Sequence, residues 1–217
     1  MAKVSPSVLS ADFAKLGEDC RKVLDAGADM IHFDVMDGDF VDNISIGIPV
    51  LQCLKAALPD AYMDVHLMIT DPLRYVKEFA DAGADCISFH VEAASDILAT
   101  IAAIDALQKD AGLVVNPNTP VESAFPYLDD LALVLVMGVV PGHGGQAFRP
   151  ETLDKIRALR SECDRRGLST DISVDGGVKL STTAPQCVEA GATILVAGSA
   201  IFGADDIAAA GAEFKKI

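Results

Sequence analysis

One tetrapeptide recurs at spacings that fit a repeating helix–turn–strand unit. Ala26-Gly27-Ala28-Asp29, Ala82-Gly83-Ala84-Asp85 and Ala190-Gly191-Ala192-Thr193 each follow an amphipathic segment and precede an apolar or β-branched run. They start 56 and 108 positions apart, close to two and four copies of a unit of about 27 residues, the size of a compact βα repeat. Glycine in the second place can take the left-handed conformation that ends a helix at no Cβ cost. An eighth of the 217-residue chain is again about 27 residues, so eight such units account for its length.

Candidate strands fall at residues 4–9, 30–35, 62–68, 86–91, 113–115, 133–140, 171–174 and 194–197, the number that a closed barrel needs. Helical patterns lie between them, among others at 12–25 with Ser10 as N-cap, 73–81, 150–166 and 205–214. No linker or low-complexity tract breaks the alternation, so the expectation is one α/β domain over 1–217, a (β/α)8 TIM barrel. The rival is an open doubly wound sheet, and the first strand lacks the G-x-G-x-x-G that a dinucleotide-binding version would carry.

Composition excludes several function classes. With 51% hydrophobic and 23% charged residues the chain can bury a large core, and its formal charge of −15 gives no basic footprint for nucleic acid or an anionic membrane. Five scattered cysteines without a C-x-x-C pair indicate neither a disulfide framework nor a thiolate zinc site. The N-terminus has no apolar signal core and the longest apolar stretch, 131–140, is too short to span a bilayer. A cytoplasmic protein is expected.

Chemistry-bearing residues gather at strand ends. His32, Asp34, His66 and Asp175 each sit at the downstream end of an apolar run, where a barrel keeps its site, and two imidazoles with two carboxylates form a plausible shell for one divalent metal. Asp34 and Asp175, about five units apart, would face each other across the mouth and could remove a proton from carbon on one face and return one to the other. Such an enediolate route needs electrostatic help for the oxyanion, which a metal supplies. Glycine loops at Gly142-His143-Gly144-Gly145-Gln146 and Gly198-Ser199, after the sixth and eighth strands, suit a backbone nest for an anion, and Asp175-Gly176-Gly177 joins the two sites. Met36, Met68 and Met137 could cover the reacting carbons, Ser7 could donate into the mouth, Asp37 could orient its loop, and His90 reads as a supporting strand-end histidine.

These residues stand in segments that resemble the ribulose-phosphate 3-epimerases from end to end. The matching segments are Pro6-Ser7-Val8-Leu9-Ser10-Ala11-Asp12-Phe13, His32-Phe33-Asp34-Val35-Met36-Asp37-Gly38, Asp64-Val65-His66-Leu67-Met68, Phe89-His90-Val91-Glu92, Asn116-Pro117-Asn118-Thr119-Pro120, 141–146, Val174-Asp175-Gly176-Gly177-Val178 and Ala197-Gly198-Ser199-Ala200-Ile201-Phe202. The resemblance implies a (β/α)8 barrel interconverting D-ribulose 5-phosphate and D-xylulose 5-phosphate in the pentose phosphate pathway. It makes His32, Asp34, His66 and Asp175 ligands of one divalent ion per subunit (zinc or iron(II), with manganese or cobalt as alternatives), with Asp34 and Asp175 also the acid/base pair. It puts Ser7 and His66 on the sugar, Met36, Met68 and Met137 over it, and Gly142, His143, Gly144, Gly145, Gly176, Gly177, Gly198 and Ser199 around it and its phosphate. The expected partners are a phosphosugar and further copies of the chain in a homo-oligomer, with no nucleic acid and no membrane.

Three departures from the family pattern cluster at the mouth: His143 where Phe is usual, Asp37-Gly38-Asp39-Phe40-Val41-Asp42-Asn43 for Asp-Gly-His-Phe-Val-Pro-Asn, and Gly47-Ile48-Pro49 for a Gly-Pro pair. They leave a hexose relative, acting between D-allulose 6-phosphate and D-fructose 6-phosphate, as the nearest rival. A decarboxylase or lyase of a related barrel would carry Asp-x-Lys-x-x-Asp, where this chain has Met36 in place of the lysine. A silent phosphosugar-binding barrel would not need both carboxylates.

Overall fold

The computed structural model describes residues 1–217. Its strands are β1 (Lys3–Pro6), β2 (Ile31–Met36), β3 (Met63–Met68), β4 (Cys86–His90), β5 (Asp110–Val115), β6 (Leu133–Met137), β7 (Asp171–Asp175) and β8 (Ile194–Ala197). The helices are α1 (Leu16–Asp25), α2 (Ile48–Ala57), α3 (Val76–Asp81), α4 (Ile97–Ala106), α5 (Thr152–Arg166), α6 (Thr183–Ala190), α7 (Ser199–Phe202) and α8 (Ile207–Phe214). All strand pairs are parallel in the order β1-β8-β7-β6-β5-β4-β3-β2, and a bridge between Ser7 and His32 joins the two ends of that order. The expected (β/α)8 barrel is what forms, not the open sheet. No helix is long and apolar enough to cross a membrane.

Strands covered on both faces must be apolar almost throughout, and β2, β3, β4, β6 and β8 are buried at every position. Side chains alternate between the lumen and the helical shell. Phe33, Val65, Phe89, Val134 and Val174 belong to the outer core of 49 buried residues, while Met30, Cys86, Val114, Leu133, Leu135, Met137, Val139, Ile194 and Val196 pack as a second core inside the barrel. This alternation sends His32 and Asp34 inward as Phe33 and Val35 go outward.

The recurring tetrapeptide ends a helix and then fixes a strand. Gly27, Gly83 and Gly191 all have φ between +105° and +114°, just past α1, α3 and α6. The fourth residue then accepts an N–H from the start of the preceding strand: Asp29 from Val4 at 2.7 Å, Asp85 from Met63 at 2.9 Å and Thr193 from Ile172 at 2.9 Å. The repeat is a device for strand register as well as a helix stop.

Ser10 does not cap a helix over 12–25. It ends a 3-10 turn (Val8–Ser10), the Asp12 side chain accepts from the Ala14 N–H in a local turn of its own, and α1 starts only at Leu16. Residues 73–81 likewise divide into a 3-10 turn (Leu73–Tyr75) and α3. Between β5 and β6 the chain forms a 3-10 segment (Val121–Asp130) around Pro126, whose missing N–H and ring bar a regular α-helix.

Gly112 of β5 lies in register with Ser88 of β4, and a Cβ on it would sit 2.6 Å from the Ser88 Cβ. Gly112→Ala is therefore expected to cost about 1–3 kcal/mol in urea denaturation through overpacking. Adding Ser88→Gly should restore much of that loss; an equal loss in the single and double variants would mean that this contact does not limit the lumen.

Candidate active site

The barrel brings the four sequence-selected ligands together. β2 carries His32 and Asp34 two residues apart on its lumen face, Asp34 is in register with His66 of β3, and Asp175 ends β7. One donor atom from each of His32, Asp34, His66 and Asp175 falls within 4.8 Å of the others. The Asp34 Oδ1 lies 3.2 Å from His32 Nε2 and 3.0 Å from His66 Nδ1, and its Oδ2 accepts from the Ser7 hydroxyl at 2.5 Å. His32, His66 and Asp34 are essentially sealed from solvent, and Asp175 is partly open to the cleft above.

The donor set fits a divalent ion. His32 Nε2 is a buried nitrogen with no hydrogen-bond partner, and it is the ring atom on the Asp34 side. The opposite nitrogen, Nδ1, meets Asp64 Oδ2 at 2.7 Å, the carboxylate–imidazole pairing that holds a metal-binding histidine in one tautomer. Imidazole and carboxylate donors suit zinc, iron(II), manganese and cobalt alike.

Opposed fields separate the two carboxyl groups. Burial alone would raise Asp34, but His32 and His66 outweigh it and hold that carboxyl well below the usual carboxylate range. Burial, followed by repulsion from Asp34, pushes Asp175 up to about 6. Burial would also lower His32, yet the charges of Asp34 and then Asp64 hold it well above its ordinary value. Burial takes His90 down to about 4 against the opposing pull of Glu92.

Above the cluster opens a cleft of about 690 Å³. It is lined by Ser7, Asp34, Asp175, Met36, Met68, Met137, the loop 142–145, Gly176, Gly177, Gly198 and Ser199. Of the residues selected from sequence, His32 and His66 lie behind its wall, and Asp37 and His90 do not line it either. Met36 and Met68 pack with Val41, Leu9 and Phe40 as a small apolar cluster at the mouth, while Met137 belongs to the lumen core and adds one wall. His143 is exposed at the rim.

The backbone N–H groups of Gly176, Gly177, Gly198 and Ser199 donate to no protein acceptor, as an anion nest requires. Gly177 has φ +69° and a Cβ there would meet the Phe148 backbone nitrogen at 2.5 Å, so glycine is obligatory in that wall. Gln146 ties the glycine loop by donating to the Val140 and His143 carbonyls at 2.7 and 2.8 Å. Asp37 orients its loop: its carboxylate accepts from the N–H groups of Asp39, Phe40 and Thr70. Asn43 of that loop donates to the Gly142 carbonyl at 2.8 Å, linking two of the divergent segments across the mouth.

Sequence reasoning missed three residues. Asp64, 2% exposed behind His32, was legible as a charge two places before His66 on the same strand face. Glu92, which reaches His90 Nδ1 at 3.2 Å, lies past the end of β4 and gave no periodic signal. Lys179 lines the cleft just beyond Gly176-Gly177 and forms no ion pair, so these unbonded N–H groups have one lysine beside them.

A family model described as the ribulose-phosphate 3 epimerase family matches residues 3–202. The chain is 52% identical over 209 residues to a ribulose-phosphate 3-epimerase of Synechocystis sp., covering 95% of this chain and 90% of that one. It is 49% identical to the enzyme of that name from Bacillus subtilis, with 95% and 94% covered, and 47% identical to that of Escherichia coli, with 94% and 90% covered. Among solved structures, a 3-hexulose-6-phosphate synthase superposes with TM-score 0.74 at 24% identity over 100% of this chain and 99% of the other, a likeness of fold alone. With a family match along most of its length and relatives near half identical across almost all of it, the chain belongs to the ribulose-phosphate 3-epimerase family.

Proposed function

We propose that the chain, acting as one catalytic domain over 1–217, interconverts D-ribulose 5-phosphate and D-xylulose 5-phosphate by inverting C3. The observation that carries this reading is the convergence of two carboxyl groups, Asp34 from β2 and Asp175 from β7, on one buried point beneath a methionine-walled cleft. It is an isomerase, and its family's relatives carry the name of this reaction.

C3 lies next to the C2 ketone, so its proton can leave once the resulting enediolate is stabilised. One carboxylate takes that proton from one face and becomes the acid. The other, protonated at that moment, delivers its proton to the opposite face, and the reverse reaction exchanges their roles. Held ionised by its imidazole neighbours, Asp34 is suited to the base, and Asp175, with its raised pKa, to the proton-bearing partner. Ser7, donating to Asp34 Oδ2, fixes the plane of that carboxylate. Met36, Met68 and Met137 exclude water that could protonate the enediolate from the wrong face.

His32, Asp34, His66 and Asp175 would hold the divalent ion, which supplies positive charge for the oxygens of the enediolate when bound. Zinc and iron(II) fit the nitrogen-and-oxygen donor set, with manganese and cobalt as further candidates. The free N–H groups of Gly176, Gly177, Gly198 and Ser199, with Lys179 beside them, would take the phosphate, and the loop 142–145 would close over it. A reducing cytoplasm suits the five unpaired cysteines, and a homo-oligomer is the assembly this reading expects.

Metal-reconstituted protein incubated with D-ribulose 5-phosphate in deuterated water should yield D-xylulose 5-phosphate carrying deuterium at C3. Loss of carbon dioxide, or no turnover, would reject the reading, and faster turnover of D-allulose 6-phosphate would reassign the substrate. Asp175→Asn should lower kcat on the order of a thousandfold. The same variant has an opposite effect on the metal-free fold. An acid whose pKa is raised on folding contributes stability below its unfolded pKa and loses it as pH rises through about 6, so wild type is penalised at pH 7.5. Asp175→Asn should therefore gain about 1–3 kcal/mol at pH 7.5 and little at pH 4, read by thermal or urea unfolding. Lys179→Met should raise KM about tenfold, the worth of one charged hydrogen bond, with kcat nearly unchanged. An unchanged KM would remove Lys179 from the phosphate site.

A further inference from the structure

Behind the ligand His66 runs a second chain of polar groups with no part in the mechanism above. His66 Nε2 lies 2.9 Å from His90 Nε2, His90 Nδ1 lies 3.2 Å from Glu92 Oε2, and Glu92 Oε1 accepts the Asn116 backbone N–H at 3.0 Å. The two imidazoles stack with centroids 5.0 Å apart, and Phe40 packs on His90 at 4.8 Å. Both histidines are at most 1% exposed, so no solvent can substitute for a missing donor or acceptor.

The direction of this chain is set at its outer end. Two ring nitrogens in hydrogen-bond contact need one N–H and one lone pair between them. Glu92, a carboxylate already fixed by the Asn116 N–H, can only accept from His90, which therefore carries its proton on Nδ1 and presents a lone pair at Nε2. His66 must then donate through Nε2, which leaves Nδ1, the nitrogen 3.0 Å from Asp34, without a proton. That is the state a cation needs. Asp64 sets His32 in the same sense by direct contact with its Nδ1.

We propose that Glu92 and His90 are positioning residues that fix the tautomer of neutral His66, so that Nδ1, on the Asp34 side, is the nitrogen whose lone pair an incoming cation takes. This rests on the reading of His66 as a metal ligand.

The decisive substitution is Glu92→Gln, nearly the same in shape. With its amide oxygen on the Asn116 N–H, glutamine turns its NH2 toward His90 Nδ1, which reverses both histidines and puts a proton on His66 Nδ1. The variant should bind zinc about 10–100-fold more weakly in competition with a chromogenic chelator. Thermal unfolding of the metal-free protein should be unchanged, and 15N spectra should show the His66 proton on Nε2 in zinc-loaded wild type. A second pair guards against misfolding: His90→Gln, which keeps an acceptor for His66 Nε2, should bind zinc more tightly than His90→Leu, which does not. Zinc affinity unchanged by Glu92→Gln, or a proton on His66 Nδ1 in the loaded wild type, would overturn the relay while leaving the four ligands in place. Wild type that takes up no zinc would overturn the ligand assignment itself.

Discussion

The Asp34 carboxylate, buried among two imidazoles and a serine hydroxyl, is the interaction on which the site is built. A lone carboxylate in a dry lumen would protonate or drag the local structure toward water. Here one oxygen faces His32 Nε2 and His66 Nδ1 and the other accepts from Ser7, so three strand ends are bound to one group. The Ser7–His32 bridge that joins the ends of the sheet lies at the same level. Barrel closure and site assembly thus occur at one place.

That economy follows from the parallel register. Because every strand runs the same way, all C-terminal ends open on one face, and residues distant in sequence arrive at one height. Asp34 faces His66, while Asp175 reaches the same point from β7, three places round the barrel. The loops that follow have short reach and little freedom, since Gly177 is pressed on Phe148 and Gln146 ties the 142–145 segment to its own base. Rigid strands hold the carboxyl and imidazole groups, and glycine backbone forms the cleft wall beside them.

Much of this was legible in the chain. Strands buried on both faces must be apolar, so β3, β6 and β8 announced themselves, and charged or imidazole residues interrupting such runs at their downstream ends stood out as costly and therefore purposeful. The helices were read less well, for physical reasons. α4, Ile97–Ala106, is apolar and alanine on nearly all sides and shows no stripe, and α1 begins late because Asp12 satisfies the Ala14 N–H in a turn that competes with the helix. Glu92 stood out only as part of a family-like segment and its role was not legible, because its partner Asn116 is brought to it by the pairing of β4 with β5, a contact that spacing along the chain does not encode.

The charge balance explains why such a lumen calls for a dication. Asp34, Asp175 and Asp64 bring three carboxyl groups to one buried region of an already acidic chain, against the imidazoles of His32 and His66. Without added positive charge the region compensates by holding a proton on His32 and by resisting ionisation of Asp175. A divalent ion held by His32, Asp34, His66 and Asp175 would supply that positive charge in place of the proton on His32. The crowding of carboxylates in an apolar barrel is thus what suits the site to a cation and what sets the two acids apart in their hold on a proton.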